Sequence, residues 1–233
     1  MLEIKNLSAS IEGVQVLRGV HMTLAPASTT ALIGRNGAGK TSLLRSIMGF
    51  MNVGVGDVAF EGASITAMKP HLRPRLGIGY APEDRRLFGS FTLEENLRLP
   101  AEVMGIKQDQ MRKRLEAVYE VLPELHDMRE RRAAGLSGGQ GKMVALGRAL
   151  MIGTKVVLLD EPFQGLAPAL ANRYAAALRD LRNKNPDITL LITESNPSLL
   201  RDFAEQIYVI ERGEINSLEN LPKSSLEAAG MAH

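Results

Sequence analysis

The 233-residue chain contains no cysteine. That excludes a disulfide framework and any thiolate metal site, and it is compatible with the cytosol. No apolar run approaches the roughly 18 residues that read as a membrane-spanning helix. Any membrane role is therefore expected through partner subunits. Charge of one sign is also lacking: 28 Lys and Arg stand against 26 Asp and Glu, a formal net charge of +2 spread along the chain. Nucleic-acid binding is not indicated by that balance. Basic clusters at Arg112-Lys113-Arg114 and from Arg129 to Arg132 read as solvated helix faces, with a docking surface as the alternative. The N-terminal residues place Glu3 and Lys5 in a strand-like pattern, so no signal-peptide core is expected there. No internal repeat or low-complexity tract is present.

What is there is an apolar content of 45%, enough for a substantial core. The length fits one α/β domain with a smaller inserted or appended piece. Residues 2–33 read as short strands, with Leu2, Ile4 and Leu7 partly alternating and a turn at Glu12-Gly13. Thr29 to Ile33 predicts a short buried strand ending at Gly34. Leu43, Leu44, Ile47 and Met48 recur at helical spacing up to Gly49. Residues 56–60 predict another strand. Residues 84–135 are charged, contain a helical stretch from Gln110 to Leu122, and carry Pro100 and Pro123 as expected breaks. Beyond Ser137 the pattern predicts a helix, a strand at 155–159, a helix near 169–183, a strand at 188–192, a helix at 198–204 and a strand at 206–210. Alternating strands and helices argue for a largely parallel sheet. Glu211 to Glu214 reads as a hairpin turn, and the tail after Pro222 as a short helix or frayed end.

Three motifs carry chemistry. Gly34-Arg35-Asn36-Gly37-Ala38-Gly39-Lys40-Thr41-Ser42 fits a phosphate-binding loop between a predicted strand and a predicted helix. Its glycines let backbone N–H groups turn toward phosphate oxygens, and the helix directs its positive end to the same place. Lys40 is expected at the β- and γ-phosphates and Thr41 at Mg²⁺, with a phosphate contact from Ser42. Second, Val156 to Leu159 runs into Asp160-Glu161. An acid at a strand's carboxyl end suits Mg²⁺ through water, and Glu161 suits a general base; the bland alternative is two solvent-facing acids. Third, Leu136-Ser137-Gly138-Gly139-Gln140 opens a predicted helix with a hydroxyl and close-approaching N–H groups, a second anion site. Its bland alternative is a serine helix cap with a glycine turn.

In this order the three motifs resemble the ATP-binding cassette (ABC) ATPases over residues 2–220. That resemblance implies an α/β phosphate-loop NTPase cassette. Its RecA-like parallel core sheet carries an N-terminal antiparallel β subdomain and an inserted α-helical subdomain. The implied boundaries are 1–83 and 155–220 for the core with its β subdomain, 84–154 for the helical subdomain with the signature helix, and 221–233 for a short tail. It implies binding of ATP by Gly34, Asn36, Gly37, Ala38, Gly39, Lys40, Thr41 and Ser42. Mg²⁺ falls to Thr41 and Asp160. Ser137, Gly138, Gly139 and Gln140 would serve the γ-phosphate held by a second ATPase subunit in a head-to-tail dimer.

Several positions depart from the family pattern. The adenine-stacking aromatic is matched by Ile11, leaving plain apolar contact. Tyr80-Ala81-Pro82-Glu83 puts a carboxylate, Glu83, where glutamine is usual; it remains a candidate metal or water ligand. Gln164-Gly165-Leu166-Ala167-Pro168 lacks the usual aspartate. Ser195 stands at the switch-histidine position, and a hydroxyl bonds a γ-phosphate without the imidazole's positive charge. A slower own site in an asymmetric pair follows as an expectation. These departures, with Arg85-Arg86-Leu87-Phe88 and Gly147-Arg148-Ala149-Leu150-Met151, are similar to the second ATPase subunit of branched-chain amino acid importers (the LivF-like group, with urea and amide relatives). The implied partners are a paralogous ATPase subunit, two transmembrane permeases and, indirectly, a periplasmic binding protein. The implied place is the cytoplasmic face of the inner membrane, peripherally bound. Alternatives are a lipid or lipopolysaccharide exporter cassette, a soluble ABC ATPase, and a regulatory subunit with little catalysis.

Overall fold

The computed structural model describes residues 1–201 and 204–217. The tail after Pro222 and the 221–233 segment lie outside the described residues. In chain order the elements are β1 (Leu2–Ile11), β2 (Val14–Leu24), β3 (Thr29–Ile33), α1 (Lys40–Ile47), β4 (Val53–Phe60), β5 (Ala63–Ser64), β6 (Ile78–Ala81), α2 (Leu93–Val103), α3 (Gln108–Val121), α4 (Pro123–Asp127), α5 (Gly138–Ile152), β7 (Val156–Asp160), α6 (Pro168–Lys184), β8 (Thr189–Glu194), β9 (Gln206–Glu211) and β10 (Glu214–Ser217). Two compact units result: Met1–Arg73 with Thr189–His233, and Pro74–Ile188.

In the first unit β1 and β2 form a long antiparallel hairpin, longer than the short strands expected. Glu12 and Gly13 at its tip both have positive φ, the twist that two-residue hairpin turns need. Asn6 has φ 50° and the ladder shifts register between Ile4 and Leu7. That bulge explains the broken alternation, because one extra residue moves Leu7 back onto the face of Leu2 and Ile4, all three buried. The adjoining order is β2-β1-β4-β5. β3 pairs in parallel with both β8 and β9, and β10 adds antiparallel to β9. All five residues of β3 are buried, as a central parallel strand requires. Of the helix expected at 198–204, the described residues show a 3₁₀ turn, Pro197–Leu199, opened by the Asn196 side chain accepting from Ser198 N–H at 2.9 Å. Residues 202 and 203 lie outside the described residues.

One residue of this unit carried no sequence signal. Arg73, 1% exposed, donates to the Ser46 and Ile47 carbonyls at the end of α1 (2.9 and 2.5 Å) and to those of Thr66 and Met68. The helix that begins at Lys40 is thus closed by a planar fork on its negative end. Burial pulls the guanidinium's pKa below its ordinary value. Arg73→Met is expected to destabilise the protein by about 3–4 kcal/mol, because buried carbonyls lose charged donors. In thermal unfolding that is a fall in Tm of about 10 °C. A Tm within about 2 °C of the parent would show that the carbonyls find other partners.

The second unit is helical around the parallel pair β6-β7. α5 is its centre, with Met143, Val144, Leu146, Ala149 and Met151 buried. α2 lies against it through Leu93, Leu97 and Ala101. Pro100 does not break the chain as expected: it sits inside α2. The Thr92–Glu95 capping box and the buried apolar face hold the helix against the roughly 3 kcal/mol that an interior proline costs. Pro123 does mark a boundary, as the first residue of α4, where its missing N–H is harmless. The basic clusters are not wholly solvated. Arg114 donates to Met151 O at 2.8 Å, closing the end of α5, and Arg132 donates to Ser90 O at 2.6 Å.

Candidate functional site

The phosphate loop lies in the first unit, between the buried end of β3 and the start of α1. Gly39 caps α1 with φ 113° and offers no side-chain hydrogen bond to the first turn, where the positive end of the helix lies. A Cβ at Gly39 would meet Val16 O at 3.0 Å and Leu17 Cδ2 at 3.2 Å, so only glycine combines that φ with this approach to β2. Lys40 is 3% exposed. Its Nζ donates to Gly34 O at 2.6 Å, Arg35 O at 3.1 Å and Ser195 Oγ at 3.1 Å. Ser195 Oγ in turn donates to Asn36 Oδ1 at 2.8 Å. The expected switch position, at the end of β8, is thus brought onto the loop through a lysine–serine–asparagine chain. Thr41 and Ser42 occupy the first turn of α1. Ile11 faces Val14 across the hairpin tip. At 45% and 66% exposed, the two form an apolar surface on the strand pair whose β2 also flanks Gly39.

The acidic pair and the signature run lie in the second unit. Asp160 and Glu161 are 3% and 4% exposed. Tyr80 Oη donates to Asp160 Oδ2 at 3.2 Å. The sequence offered no pointer to this phenol; it reaches the aspartate because β6 and β7 are parallel neighbours, with Tyr80 level with Leu158. The same register, Ala81 beside Leu159, brings both carboxyl ends together, so the Glu83 turn leaves β6 where Asp160-Glu161 ends β7. Glu83 is exposed. Glu161 has φ 45°, a left-handed conformation that costs a non-glycine residue on the order of 1 kcal/mol and that concentrates at functional positions.

Ser137 caps α5, accepting from Gln140 N–H at 3.3 Å, while Gln140 Oε1 accepts from Ser137 N–H at 2.9 Å. The serine-cap alternative is therefore realised, and the Gln140 carbonyl is engaged in its own chain's capping box. Ser137 and Gly138 remain exposed. Gly139 has an internal reason too: a Cβ there would lie 2.2 Å from Leu170 Cδ2, so glycine lets the loop after β7 and the start of α6 close on this turn. Among the described residues, no cluster of three His, Cys, Asp or Glu side chains is placed to hold a metal unaided. The donors named from the sequence, the Thr41 hydroxyl in the first unit and the Asp160 and Glu83 carboxylates in the second, are all oxygen, the donor type that suits Mg²⁺.

A parallel α/β chain with a lysine-bearing phosphate loop and a strand ending in a buried acidic pair is a phosphate-loop NTPase. The particular family follows from comparison: the ABC transporter family model matches residues 17–164. The chain is 33% identical over 215 residues to a probable branched-chain amino acid transport ATP-binding protein of Archaeoglobus fulgidus, covering 92% of this chain and 90% of that one. It is 31% identical over 216 residues to the lipopolysaccharide export system ATP-binding protein of Haemophilus influenzae, covering 92% and 88%. A solved ATP-binding cassette of an ABC transporter, MJ1267 in its ADP conformation, superposes with a TM-score of 0.80 at 30% identity, covering 93% of this chain and 89% of that one. The chain belongs to the ABC transporter family, as an ATPase whose activity is coupled to transport. None of its described helices is long and apolar enough to cross a membrane.

Proposed function

We propose that this chain energises a membrane importer of branched-chain amino acids or related small amides such as urea. The observation that carries the nucleotide reading is Lys40, buried at the head of α1 and tied to Ser195 and Asn36. The importer reading is supported by the branched-chain amino acid relative and by the Glu83 turn at the end of β6.

Lys40 and the first-turn N–H groups of α1 take the β- and γ-phosphates of ATP, with Ser42 adding a contact and Ile11 covering the adenine. Thr41 and Asp160 would hold Mg²⁺, with Glu83 a further candidate ligand. Bound there, the ion offsets phosphate charge. Glu161 accepts the proton of the water that attacks the γ-phosphorus, and ADP leaves with its β-oxygen. Ser137, Gly138 and Gly139 donate to the γ-phosphate carried by a second ATPase subunit, a paralogue, in a head-to-tail dimer. Two permeases meet the chain beside Glu83 at the cytoplasmic face of the membrane, and a periplasmic binding protein acts through them.

The test is ATP hydrolysis by the reconstituted assembly. Stimulation of severalfold by a binding protein loaded with a branched-chain amino acid or urea is expected. Stimulation by lipopolysaccharide, with none by amino acids or amides, would replace this reading with an exporter. That second reading is favoured by the lipopolysaccharide export relative.

A further inference from the structure

Lys142 lies in the second turn of α5, one turn beyond the signature residues, and neither the motif reading nor the relatives give it a role. Its Nζ donates to the backbone carbonyl of Glu161 at 2.5 Å. That carbonyl also accepts from Gln164 N–H at 3.3 Å. The peptide gripped from both sides is the one that follows the left-handed residue, φ 45°. A strained conformation persists only where its surroundings over-determine it, and an ammonium on a carbonyl is a strong, charge-assisted restraint. Lys142 is itself held in place. Tyr174 Oη donates to the Lys142 carbonyl at 3.4 Å, and the Tyr174 ring meets Phe163, two residues past Glu161, edge-on at 5.7 Å. Lysine, aromatic pair and acidic turn therefore form one packed group within the second unit.

We propose that Lys142 is a positioning residue for Glu161. It holds the peptide that aims the carboxylate at the attacking water, and it ties that peptide to the helix whose first turn is the signature. The inference rests on the reading of Glu161 as general base and of Ser137 to Gly139 as the contact to a partner's ATP. One rigid helix then carries both. When α5 shifts as its first turn takes up the partner's γ-phosphate, the Glu161 peptide shifts with it, so filling one ATP site adjusts the base of the other.

The experiment compares Lys142→Met, which keeps the stem and removes the donor, with Lys142→Arg, which restores one, in the full chain assembled with its partner subunits. For Lys142→Met, kcat for ATP hydrolysis is expected to fall by at least about tenfold with KM for ATP within about twofold, because the lost contact aids chemistry and not ground-state binding. Lys142→Arg is expected to recover most of the rate. Parental kcat in Lys142→Met overturns the assignment. So does a rise in KM matching the loss of kcat/KM, or a loss that arginine does not repair; both mark a residue that only packs. Glu161→Gln measured alongside separates the two levels: parental turnover there defeats the general-base reading itself, whereas parental turnover in Lys142→Met alone defeats only the role of the lysine.

Discussion

Glu161→Gln is expected to cut ATP hydrolysis at this chain's own site by at least about 100-fold while MgATP binding survives. The amide is nearly isosteric with the carboxylate and cannot accept a proton from water. In the proposed reading the phosphate contacts come from Lys40 and the first turn of α1, which the change leaves untouched. ATP then binds and is not consumed. With the second ATPase subunit present, a head-to-tail dimer clamped on ATP accordingly accumulates, readable as a shift from separate subunits to a heterodimer in size-exclusion chromatography when MgATP is present. The burial of Glu161 sharpens the expectation, since a base at 4% exposure has few competing waters to replace it. A variant that hydrolyses ATP at the parental rate would remove Glu161 from the proton transfer.

Lys40→Ala is expected to weaken ATP binding at this chain's own site by on the order of 100-fold or more, equivalent to about 3 kcal/mol. The lost ammonium is buried and already fastened to Gly34 O, Arg35 O and Ser195 Oγ. Its replacement by alanine removes the charge proposed to face the phosphates and one link from the end of β8 to the loop, the Ser195–Asn36 bond remaining. Isothermal titration with MgATP reads the loss, and undiminished affinity would overturn the phosphate-loop assignment. The same variant tests the asymmetry expected from Ser195 and Ile11. In an assembly with a second ATPase subunit, full turnover after Lys40→Ala, set against loss on changing the partner's lysine, would show that the partner's site does most of the work. Equal loss from both would show two equivalent sites.

Both predictions concern residues found by local pattern, because each motif is a contiguous run whose chemistry depends on backbone held within a few residues. The loop from Gly34 to Ser42 needs one strand, one helix and glycines between them, and the buried β3 with its left-handed Gly39 supplies these. The acidic pair needs only the end of a buried strand. The turn at Glu12-Gly13 and the capping serine of α5 were legible for the same reason. Errors arose where local preference met tertiary packing. Pro100 stays inside α2 because its neighbours Leu97 and Ala101 are buried.

By itself, then, the sequence determined the family, the nucleotide chemistry and the candidate residues from Lys40 to Glu161, since each is encoded in a short stretch of chain. Tertiary structure alone decided what surrounds them. Arg73 closes the far end of the phosphate-loop helix from outside it, Tyr80 reaches Asp160 across a parallel register, and Lys142 grips the carbonyl of Glu161. These contacts join residues far apart in the chain. No propensity or spacing anticipates them, because side chains find such partners only after strands have paired and helices have packed.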